Sequence, residues 1–409
     1  MKILIITQYF WPENFRINDI ARSLLEKGIE VDILTGKPNY PGGKIFDGYR
    51  AWGCRCEGWN GIDICRIPIV PRGKDKPLRL ALNYLSFVAS GLLFAPFLLR
   101  KKSLDAIFVY APSPILQAIP AIFLGRLKKC PVILWVQDLW PESLSATGHI
   151  SNPWILKAVE HVVRFIYRHV DLLLVQSEAF IEPVSALASG TPVKYHPNSV
   201  DKSFSMPPSL AAPDIPGLDG GFSVMFAGNI GTAQAVETIV EAADLLKDHS
   251  DIRFVVLGDG SRREWMLEEA KNRNLSNLHL PGRFPMEAMP ALMQKAAALL
   301  VTLADQPIFA ATIPSKVQAY LAAGRPILAC LNGEGADLIT AAGAGLAVPA
   351  EDGKALAGAI LQLYRMSPQE RDAMGVRGRL YYAQHFSHDM LVDHLIGHMQ
   401  SVCQHKERV

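Results

Sequence analysis

Residues 2–35 read KILIITQYFWPENFRINDIARSLLEKGIEVDILT, and this stretch decides the fold class. A short apolar run is followed by a loop and by apolar residues at helical spacing, which Gly28 closes before a second β-type run. The order strand–helix–strand predicts two neighbouring parallel strands and therefore an α/β sheet. Further strands of this kind are predicted at 105–110, 131–137 and 171–177.

The alternation of strands and helices restarts near residue 222. The segment before it, 196–221, is rich in Pro, Ser and Gly, a composition typical of a linker. A chain of 409 residues is long enough for two domains. We therefore predict two doubly wound Rossmann-like α/β domains at 1–197 and 222–375, a linker at 198–221 and a helical tail at 376–409.

Composition excludes some functional classes. The net charge is only +2, so nothing in the overall charge predicts a nucleic-acid partner. The six Cys show no paired metal-ligand spacing and are expected to be reduced thiols in a cytoplasmic protein. The apolar start of the chain is too short for a secretory signal and is expected to be a strand.

Three β-type runs in the second half end in a glycine-bearing turn that leads into a helix, at 222–246, 252–270 and 326–343. Each turn places free N–H groups and the positive end of a helix dipole at the carboxyl end of a parallel strand. Three such turns in one domain favour a nucleoside diphosphate ligand. The alternative is that they are ordinary turns.

A fourth helix start lies in TIPSKVQAYLAAGRPIL, residues 312–328. Pro314 fixes the entry, Ser315 is expected to cap the helix, and Lys316 places a cation where the dipole already attracts anions. Gly324 is expected to end the helix in a left-handed conformation. The alternative is a capped core helix with a solvated lysine.

Known nucleotide-binding motifs are missing from the expected places. The loop after the first strand, QYFWPENFR, has no Gly, so it lacks the GxGxxG pattern of nicotinamide-binding domains. A Walker A motif is also absent from the sequence. These observations disfavour a nicotinamide-dependent oxidoreductase.

Eight segments spread over most of the chain form a recognisable set: QYFWPE (8–13), DLWPE (138–142), HPNSVD (196–201), FAGNIG (226–231), LGDG (257–260), PGRFP (281–285), PSKVQAYLAAGRPIL (314–328) and GAGLAVP (343–349). Taken together, they resemble the motifs of the GT-B glycosyltransferases of bacterial family 4, which build O-antigen, capsule and colanic acid. The combination of PSKVQAYLAAGRPIL with NGEGAD (332–337) is additionally similar to the subgroup of L-fucosamine transferases.

The resemblance implies two domains facing a cleft, with a nucleotide-sugar donor, usually a UDP-sugar, in the C-terminal domain and the acceptor against the N-terminal domain. It places Gly228, Asn229, Gly231 and Gly260 near the diphosphate, Arg262, Ser315 and Lys316 beside it, Arg283 and Phe284 at the base, and Gly333, Glu334 and Gly335 at the sugar or ribose. It also implies that no metal is needed and that the anomeric configuration is retained.

Two departures from the family pattern shift these roles. Ala311 and Ala319 stand where many members carry a Glu-x7-Glu pair, so Glu334 is our candidate for the ribose contact. Phe15 and Arg16 replace the usual Gly-Gly of the first loop, and we hypothesise that Arg16 approaches the diphosphate from the N-terminal domain. The alternatives are a helix-capping Glu and a surface Arg.

Sugar transfer also needs a group that accepts the proton of the acceptor hydroxyl. Asp138, directly after an apolar strand, is the first candidate and Glu142 the second. The alternative for Asp138 is a helix cap. His149 and His196 are two further possibilities, although a lone loop histidine is usually solvated.

Two segments point to a membrane. Residues 80–99, LALNYLSFVASGLLFAPFLL, carry no charge, and Pro96 is expected to break the last turns of their helix. A polar stripe formed by Arg79, Asn83, Ser86 and Ser90 favours a helix at about 78–102 lying in the membrane interface over one that spans it. The alternative is a buried core helix. In 153–170 a basic stripe of Lys157, His161, Arg164 and Arg168 is suited to lipid phosphates or to the pyrophosphate of a lipid-linked acceptor. The alternative is a solvated helix face.

We therefore predict a glycosyltransferase that moves a sugar, such as the N-acetylated deoxyhexosamine L-fucosamine, from UDP to a lipid-linked or nascent bacterial polysaccharide at the inner face of the cytoplasmic membrane. The alternatives are a non-transferring GT-B enzyme such as a UDP-sugar 2-epimerase, the oxidoreductase above, and a membrane scaffold without activity. The oligomeric state stays open.

Overall fold

The chain folds into two structural units. The computed structural model describes residues 1–73, 77–146, 152–206 and 211–407. The first unit combines Met1–Pro197 with Asp389–Val409, and the second is Asn198–His388.

The described part of the first unit is one eight-stranded sheet flanked by helices. Its strands are β1 (Lys2–Ile6), β2 (Glu30–Thr35), β3 (Arg55–Trp59), β4 (Ile62–Arg66), β5 (Ala106–Ala111), β6 (Val132–Val136), β7 (Leu172–Val175) and β8 (Val193–Tyr195). Its helices are α1 (Arg16–Glu26), α2 (Pro77–Leu98), α3 (Ala118–Lys128), α4 (Glu142–Ala146), α5 (Pro153–Arg168) and α6 (Ile181–Ala188), together with the last helix of the chain.

The strand order is β3-β4-β2-β1-β5-β6-β7-β8, with every pair parallel except the edge hairpin β3–β4. The inner strands are buried along nearly their whole length, as expected when helices cover both faces of a parallel sheet. Lys2 pairs with Glu30 in a parallel register, which confirms the strand–helix–strand prediction for 2–35.

The second unit contains a six-stranded sheet, all of it parallel. Its strands are β9 (Phe222–Asn229), β10 (Ile252–Asp259), β11 (Leu278–Gly282), β12 (Ala298–Thr302), β13 (Ile327–Cys330) and β14 (Gly345–Val348). Its helices are α7 (Glu237–Leu245), α8 (Arg263–Asn272), α9 (Met289–Lys295), α10 (Pro307–Ala310), α11 (Ser315–Ala323), α12 (Glu334–Ala341), α13 (Gly353–Arg365) and α14 (Pro368–His385), and the chain ends in α15 (His388–Glu407). The predicted pair of α/β units is confirmed.

The predicted limits of the second domain differ from those of the structural unit. The segment 198–221 is not a free linker, because Val200, Phe204, Ile215 and Leu218 are buried in the core of the second unit. The predicted boundary at 375/376 falls inside α14, which packs against the end of α11 so closely that a Cβ on Gly375 would lie 2.1 Å from the Gly324 carbonyl oxygen. The predicted tail is thus divided, since α14 belongs to the second unit and α15 to the first.

Helix α2 exposes a row of apolar side chains, and its polar stripe is divided, since Asn83 is buried whereas Arg79 is exposed. Asn83 is fully buried, donates to the Val70 carbonyl at 2.6 Å and accepts from Gln8 Nε2 at 2.6 Å. The side chains that point away from the unit are Leu78, Leu82, Leu85, Leu92, Leu93 and Phe97, which we call the leucine face.

This helix is long and apolar enough to span a membrane, yet only 22% of its apolar window is buried. That exposure contradicts the alternative of a buried core helix. The expected break at Pro96 is also wrong, because the helix includes Pro96 and ends at Leu98. A proline lacks the backbone N–H that would donate to the preceding turn. Because the helix continues for only two residues beyond Pro96, the missing hydrogen bond affects only its last turn.

Candidate functional site

The predicted glycine-bearing turns lie at the carboxyl ends of β9, β10 and β13, along one edge of the second sheet. The strand order reverses between β9 and β12, because β10 and β11 extend the sheet on one side and β12 to β14 on the other. Ligands in open α/β sheets bind at such a reversal. The loops after β9 and β12 contact each other there, with Ala304 N donating to the Ala233 carbonyl at 3.0 Å.

At this edge Gly228, Gly258 and Gly260 form a backbone surface without side chains, which we call the glycine floor. Gly228 has φ of +141°, and a Cβ on it would lie 2.5 Å from Lys316 Cε. Gly258 pairs with Gly228 across the two strands, and its Cβ would lie 1.8 Å from the Gly228 carbonyl oxygen. A Cβ on Gly260 would similarly lie 2.3 Å from the Ile230 carbonyl oxygen. Side chains are therefore sterically excluded along this part of the sheet edge.

Lys316 extends over this floor with its charge uncompensated. Nζ is shielded from solvent and has no hydrogen-bond partner in the described part of the chain. It lies 3.6 Å from the centroid of the Phe226 ring, a cation–π contact. Burial lowers the pKa of the Lys316 ammonium to about 7. An anion placed above Gly228 would supply the missing partner.

The helix behind Lys316 begins differently from the prediction. Pro314 occupies the N-cap position with φ −63° and ψ 136°, no side chain caps the helix, and Ser315 is its first residue. The predicted cap by Ser315 is therefore wrong, and the first N–H groups of α11 lack a side-chain acceptor. Gly324 ends the helix with φ of +67°, as predicted, and Tyr320 Oη accepts from Ala227 N at 3.2 Å, which fixes α11 against β9.

The other predicted cations are paired. Arg262 forms an ion pair with Glu237 and lies 4.3 Å from the Trp265 ring centroid. Arg283 is exposed, and its Nε lies 3.3 Å from Asp259 Oδ2. Among the three predicted cations of this unit, Lys316 is thus the one held without a carboxylate.

The remaining donor-site candidates lie in the same loops. Asn229 ends β9 and donates from Nδ2 to Gln234 Oε1 at 3.1 Å, and the N–H···O contact closes the turn in which Gly231 lies. Phe284 follows β11 and packs against the core through part of its ring.

The loop after β13 carries the candidates for the sugar and ribose. Gly333 has φ of +72°, and a Cβ on it would lie 2.2 Å from the Ala310 carbonyl oxygen, so only glycine fits against α10. Glu334 is the half-buried first residue of α12. A Cβ on Gly335 would lie 2.9 Å from Leu331 Cδ1, which brings the helix close to the strand end.

Sequence reasoning missed two residues of this site. Gly258 is necessary for the close approach of β10 to β9, and its GDG context was the available signal. Gln318 is fully buried on α11, and neither its Oε1 nor its Nε2 has a hydrogen-bond partner in the described ranges. It precedes Ala319, the position where many family 4 members carry the second Glu.

In the first unit Asp138 follows β6, at the carboxyl edge of that sheet. Burial raises the pKa of the Asp138 carboxyl to about 7. In the described residues no hydrogen bond joins it to the start of α4, where Ser143 N instead donates to the Leu139 carbonyl at 2.8 Å. The cap alternative for Asp138 is therefore not supported. Glu142 is exposed at the first position of α4.

Arg16 and Asp138 both lie within electrostatic reach of Tyr110, at the end of β5. Burial raises the pKa of the Tyr110 hydroxyl, the Arg16 charge opposes this rise and the Asp138 charge adds to it. Arg16 is half-buried at the first position of α1. The structure thus brings these two candidates of the first unit to the same sheet edge.

The histidine candidates differ from expectation. His196 is buried rather than solvated, and burial lowers the pKa of its imidazole to about 3. Its carbonyl accepts from Trp135 Nε1 at 2.9 Å, which places it in the core. His149 lies outside the described residues.

Comparison with protein families gives two matches that together span most of the chain. Residues 14–199 match the glycosyl transferase 4-like domain, and residues 221–366 match the glycosyl transferases group 1 domain. The two matches correspond to the two structural units.

Individual relatives agree with these matches. The colanic acid biosynthesis glycosyl transferase WcaI of Escherichia coli K12 is 25% identical over 79% of this chain and 82% of its own length. The glycosyltransferase WbjE of Pseudomonas aeruginosa is 29% identical over 55% of this chain and 58% of its own length.

Solved structures share the fold at low identity. Sucrose-phosphate synthase from Thermosynechococcus elongatus superposes with a TM-score of 0.74 at 15% identity, covering 98% of both chains. Anabaena HepE, in complex with UDP and glucose, superposes with a TM-score of 0.68 at 13% identity, covering 98% of this chain and 99% of its own.

Proposed function

Since the chain belongs to the glycosyltransferases of the GT-B fold that act in polysaccharide biosynthesis, we propose that it transfers a sugar from a UDP-sugar to a lipid-linked or nascent bacterial polysaccharide acceptor. The observation that carries the proposal is the buried ammonium of Lys316, which lies above the glycine floor and has no hydrogen-bond partner among the residues that the structure describes. A diphosphate is the anion that such an edge accommodates.

Lys316 acts on the leaving group. Negative charge grows on the diphosphate as the bond between the sugar and its oxygen breaks, and a fixed cation lowers the free energy of that state. The N–H groups at the start of α11, which no side chain caps, would also stabilise this negative charge. We propose that these groups make a metal ion unnecessary, so that chelation with EDTA leaves the transfer rate unchanged.

The rest of the donor follows the glycine-bearing loops. Glu334 would accept the ribose hydroxyls, and Arg283 with Phe284 would border the uracil. Support for a UDP donor comes from HepE, which shares the fold and was crystallised with UDP.

For the sugar we propose an N-acetylated deoxyhexosamine such as L-fucosamine. A third relative, from Niallia circulans, is named 2-deoxystreptamine N-acetyl-D-glucosaminyltransferase and is 25% identical over 59% of this chain and 62% of its own length. An N-acetylamino sugar as donor is consistent with that name.

The acceptor hydroxyl loses its proton as it attacks the anomeric carbon. We propose that Asp138 accepts this proton, because a carboxyl group with a pKa near 7 can act both as a base and as an acid at neutral pH. Glu142 is exposed and is the second candidate.

The acceptor is lipid-linked in this proposal because the first unit presents a surface suited to the inner face of the cytoplasmic membrane. The leucine face of α2 is exposed, and on α5 Trp154 is 80% exposed. The basic stripe of α5 lies outward as well, with Lys157, His161 and Arg168 exposed. Apolar side chains beside cations are the chemistry of a peripheral membrane protein on anionic lipid.

Calorimetric titration with UDP and GDP tests the donor site. We expect saturable UDP binding that weakens roughly tenfold or more in Lys316→Met, since a charge-assisted contact is lost, and also weakens in Glu334→Ala. Lys247→Met, which removes an exposed ion-paired lysine of the same unit, is the matched control and should bind as wild type.

Two outcomes would contradict the proposal. Wild-type affinity in Lys316→Met would dismiss the diphosphate site above Gly228. Binding of GDP without binding of UDP would mean that the donor is a GDP-sugar and not a UDP-sugar.

A further inference from the structure

The edge hairpin of the first unit brings two cysteines together. Its strands β3 and β4 are joined by Asn60 and Gly61, which both have positive φ, +48° and +82°. A two-residue turn of this kind fixes the register of the strands that it joins. Cys56 of β3 therefore pairs with Cys65 of β4, and their Sγ atoms lie 3.0 Å apart. Neither cysteine has a role in the proposed function.

The pairing of the two strands suits a disulfide bond. Residues directly opposite each other on antiparallel strands have Cα atoms about 4.5–5.5 Å apart, within the range of about 4.4–6.8 Å that disulfides span. The Sγ atoms of Cys56 and Cys65 need to approach by only about 1 Å to form the bond. Both thiols are free in this structure, so the reduced pair is already placed for oxidation.

Clustered cysteines can also hold a metal ion, but the arrangement around this pair does not fit one. Cys54 is exposed one position before β3, so three thiols lie close together in the chain. Among the residues that the structure describes, however, no group of three or more His, Cys, Asp and Glu side chains is arranged to hold a metal ion. A pair of facing thiols without a third ligand favours redox chemistry over zinc binding.

The two thiols differ in exposure, and this difference sets their order of reaction. Cys56 is exposed to reagents in solution, whereas Cys65 is only 7% exposed. Burial raises the pKa of the Cys65 thiol to about 12, and the neighbouring Cys56 adds to that rise. Because the thiolate is the nucleophile, Cys56 reacts first. Once Cys56 is held in a mixed disulfide, its contribution to the raised pKa is lost, and the Lys102 charge favours the Cys65 thiolate.

The residues that follow the two cysteines connect the hairpin to the loop after β1. Arg66, directly after Cys65, is fully buried and donates from Nε to Oε1 of Glu57, the residue after Cys56. The same guanidinium donates from NH2 to the Trp11 carbonyl, which belongs to the loop after β1. A bond between the two cysteines therefore restrains the Glu57–Arg66 pair and, through it, this loop.

We propose that Cys56 and Cys65 form a redox-active pair, which a low-molecular-weight disulfide, oxidised glutathione, converts reversibly to an intramolecular disulfide that locks the hairpin to the loop after β1. The Cys56 thiolate attacks one sulfur of the glutathione disulfide, and the first glutathione thiolate leaves. The Cys65 thiolate then attacks Cys56 Sγ, and the second glutathione leaves. The pair loses two electrons, the glutathione disulfide gains them, and the protons of the two thiols pass to the two glutathione molecules. The inference does not depend on the proposed function.

Peptide mapping of the full chain tests whether the bond forms. Trypsin cleaves after arginine, so both cysteines of the pair lie on the peptide 56–66, whereas Cys54 lies on 51–55. We expect oxidised glutathione to lower the alkylated form of peptide 56–66 by roughly tenfold or more. In its place we expect a form lighter by the two hydrogen atoms of its thiols, which dithiothreitol converts back.

Two variants and a second measurement separate the steps. Cys54→Ser keeps the pair, so it is the matched control and should respond as wild type. Cys65→Ser removes the second step and should accumulate the mixed disulfide of Cys56 with glutathione. Hydrogen exchange measures the lock, and oxidised wild type should exchange the amides of 8–13 roughly twofold more slowly than the reduced protein, with no such change in Cys65→Ser.

Three outcomes would contradict the inference. A disulfide that joins the peptides 51–55 and 56–66 would show that Cys54 takes part in the bond. A wild type that stays alkylated, or that accumulates only the mixed disulfide, would show that the two thiols are not placed to react with each other. Formation of the bond without slower exchange at 8–13 would reject the lock.

Discussion

In the proposed function Lys316 binds the diphosphate, and its burial also carries a cost in stability. The pKa of its ammonium is about 7 in the folded chain and ordinarily 10.5, so the unfolded chain binds more protons between these values. The contribution of this lysine to stability is therefore least favourable at and below pH 7 and improves as pH rises toward 10.5. A residue retained at such a cost is expected to serve the ligand.

Lys316→Met should consequently stabilise the protein at neutral pH. We expect the midpoint of thermal unfolding to rise by roughly a few degrees at pH 7, and the gain to shrink toward pH about 10. Thermal melts at the two pH values measure this, with Lys247→Met as the control that should change neither. A lower midpoint for Lys316→Met at pH 7 would show that the ammonium is well solvated or paired.

Asp138 is the corresponding residue of the first unit. Its pKa is raised, so the carboxyl is protonated and unable to act as a base below about pH 7. Asp138→Asn should lower the transfer rate by roughly 10²- to 10⁴-fold and abolish its rise with pH on the acid side. Glu142→Gln is the matched control, and we expect it to keep both the rate and the pH dependence. If Glu142→Gln alone removes the acid-side rise, the base is Glu142.

At the scale of elements, the proposed membrane contact depends on the leucine face of α2. Leu85→Glu/Leu93→Glu places two charges on the leucine face and should lower co-sedimentation with anionic vesicles by roughly tenfold or more, since each buried Leu contributes about 1.5–3 kcal/mol. The thermal midpoint should not fall, because both side chains are exposed. Leu245→Glu, at an exposed leucine of the second unit, is the control. Unchanged vesicle binding together with loss of a dimer in sedimentation would assign the face to a second copy of the chain.

The helices and strands could be predicted from the sequence because the spacing of apolar residues follows the buried face of each element. The strand–helix–strand order of 2–35 and the three glycine-bearing turns were predictable, since apolar spacing and glycine act locally. The membership of 198–221 in a core was not, because composition marks turns but does not show that Val200 or Leu218 is buried.

The orientation of α2 and the start of α11 depend on distant or conformational details. Asn83 faces inward because Gln8 and Val70, far away in the sequence, bond it. Ser315 does not cap α11 because Pro314 already occupies the N-cap position in an extended conformation. The unpartnered state of Lys316 likewise follows from its tertiary surroundings, so the lysine was predictable as a candidate but its pKa was not.

At the scale of the whole molecule, the two units each contribute a candidate site residue with a pKa near neutrality, Asp138 in the first and Lys316 in the second. In the proposed mechanism Asp138 of the first unit must lose a proton to act as base, and Lys316 of the second must keep one to stabilise the diphosphate. Both pKa values result from burial, which raises the pKa of a carboxyl group and lowers the pKa of an ammonium group. The two groups therefore restrict the active protonation state from opposite sides of pH 7.

A bell-shaped dependence of kcat/KM on pH, with its maximum near 7, should follow, because this ratio reports the ionisations of the free enzyme. At the maximum only about a quarter of the molecules hold Asp138 ionised and Lys316 protonated, if the two titrate independently with equal pKa values. Transfer rates at low donor concentration across this range measure the profile. Asp138→Asn should remove the acid limb and Lys316→Met the basic limb, whereas Lys247→Met should keep both. A wild-type profile that stays flat through pH 7 would mean that substrate-free Asp138 and Lys316 do not have the protonation behaviour that their burial implies.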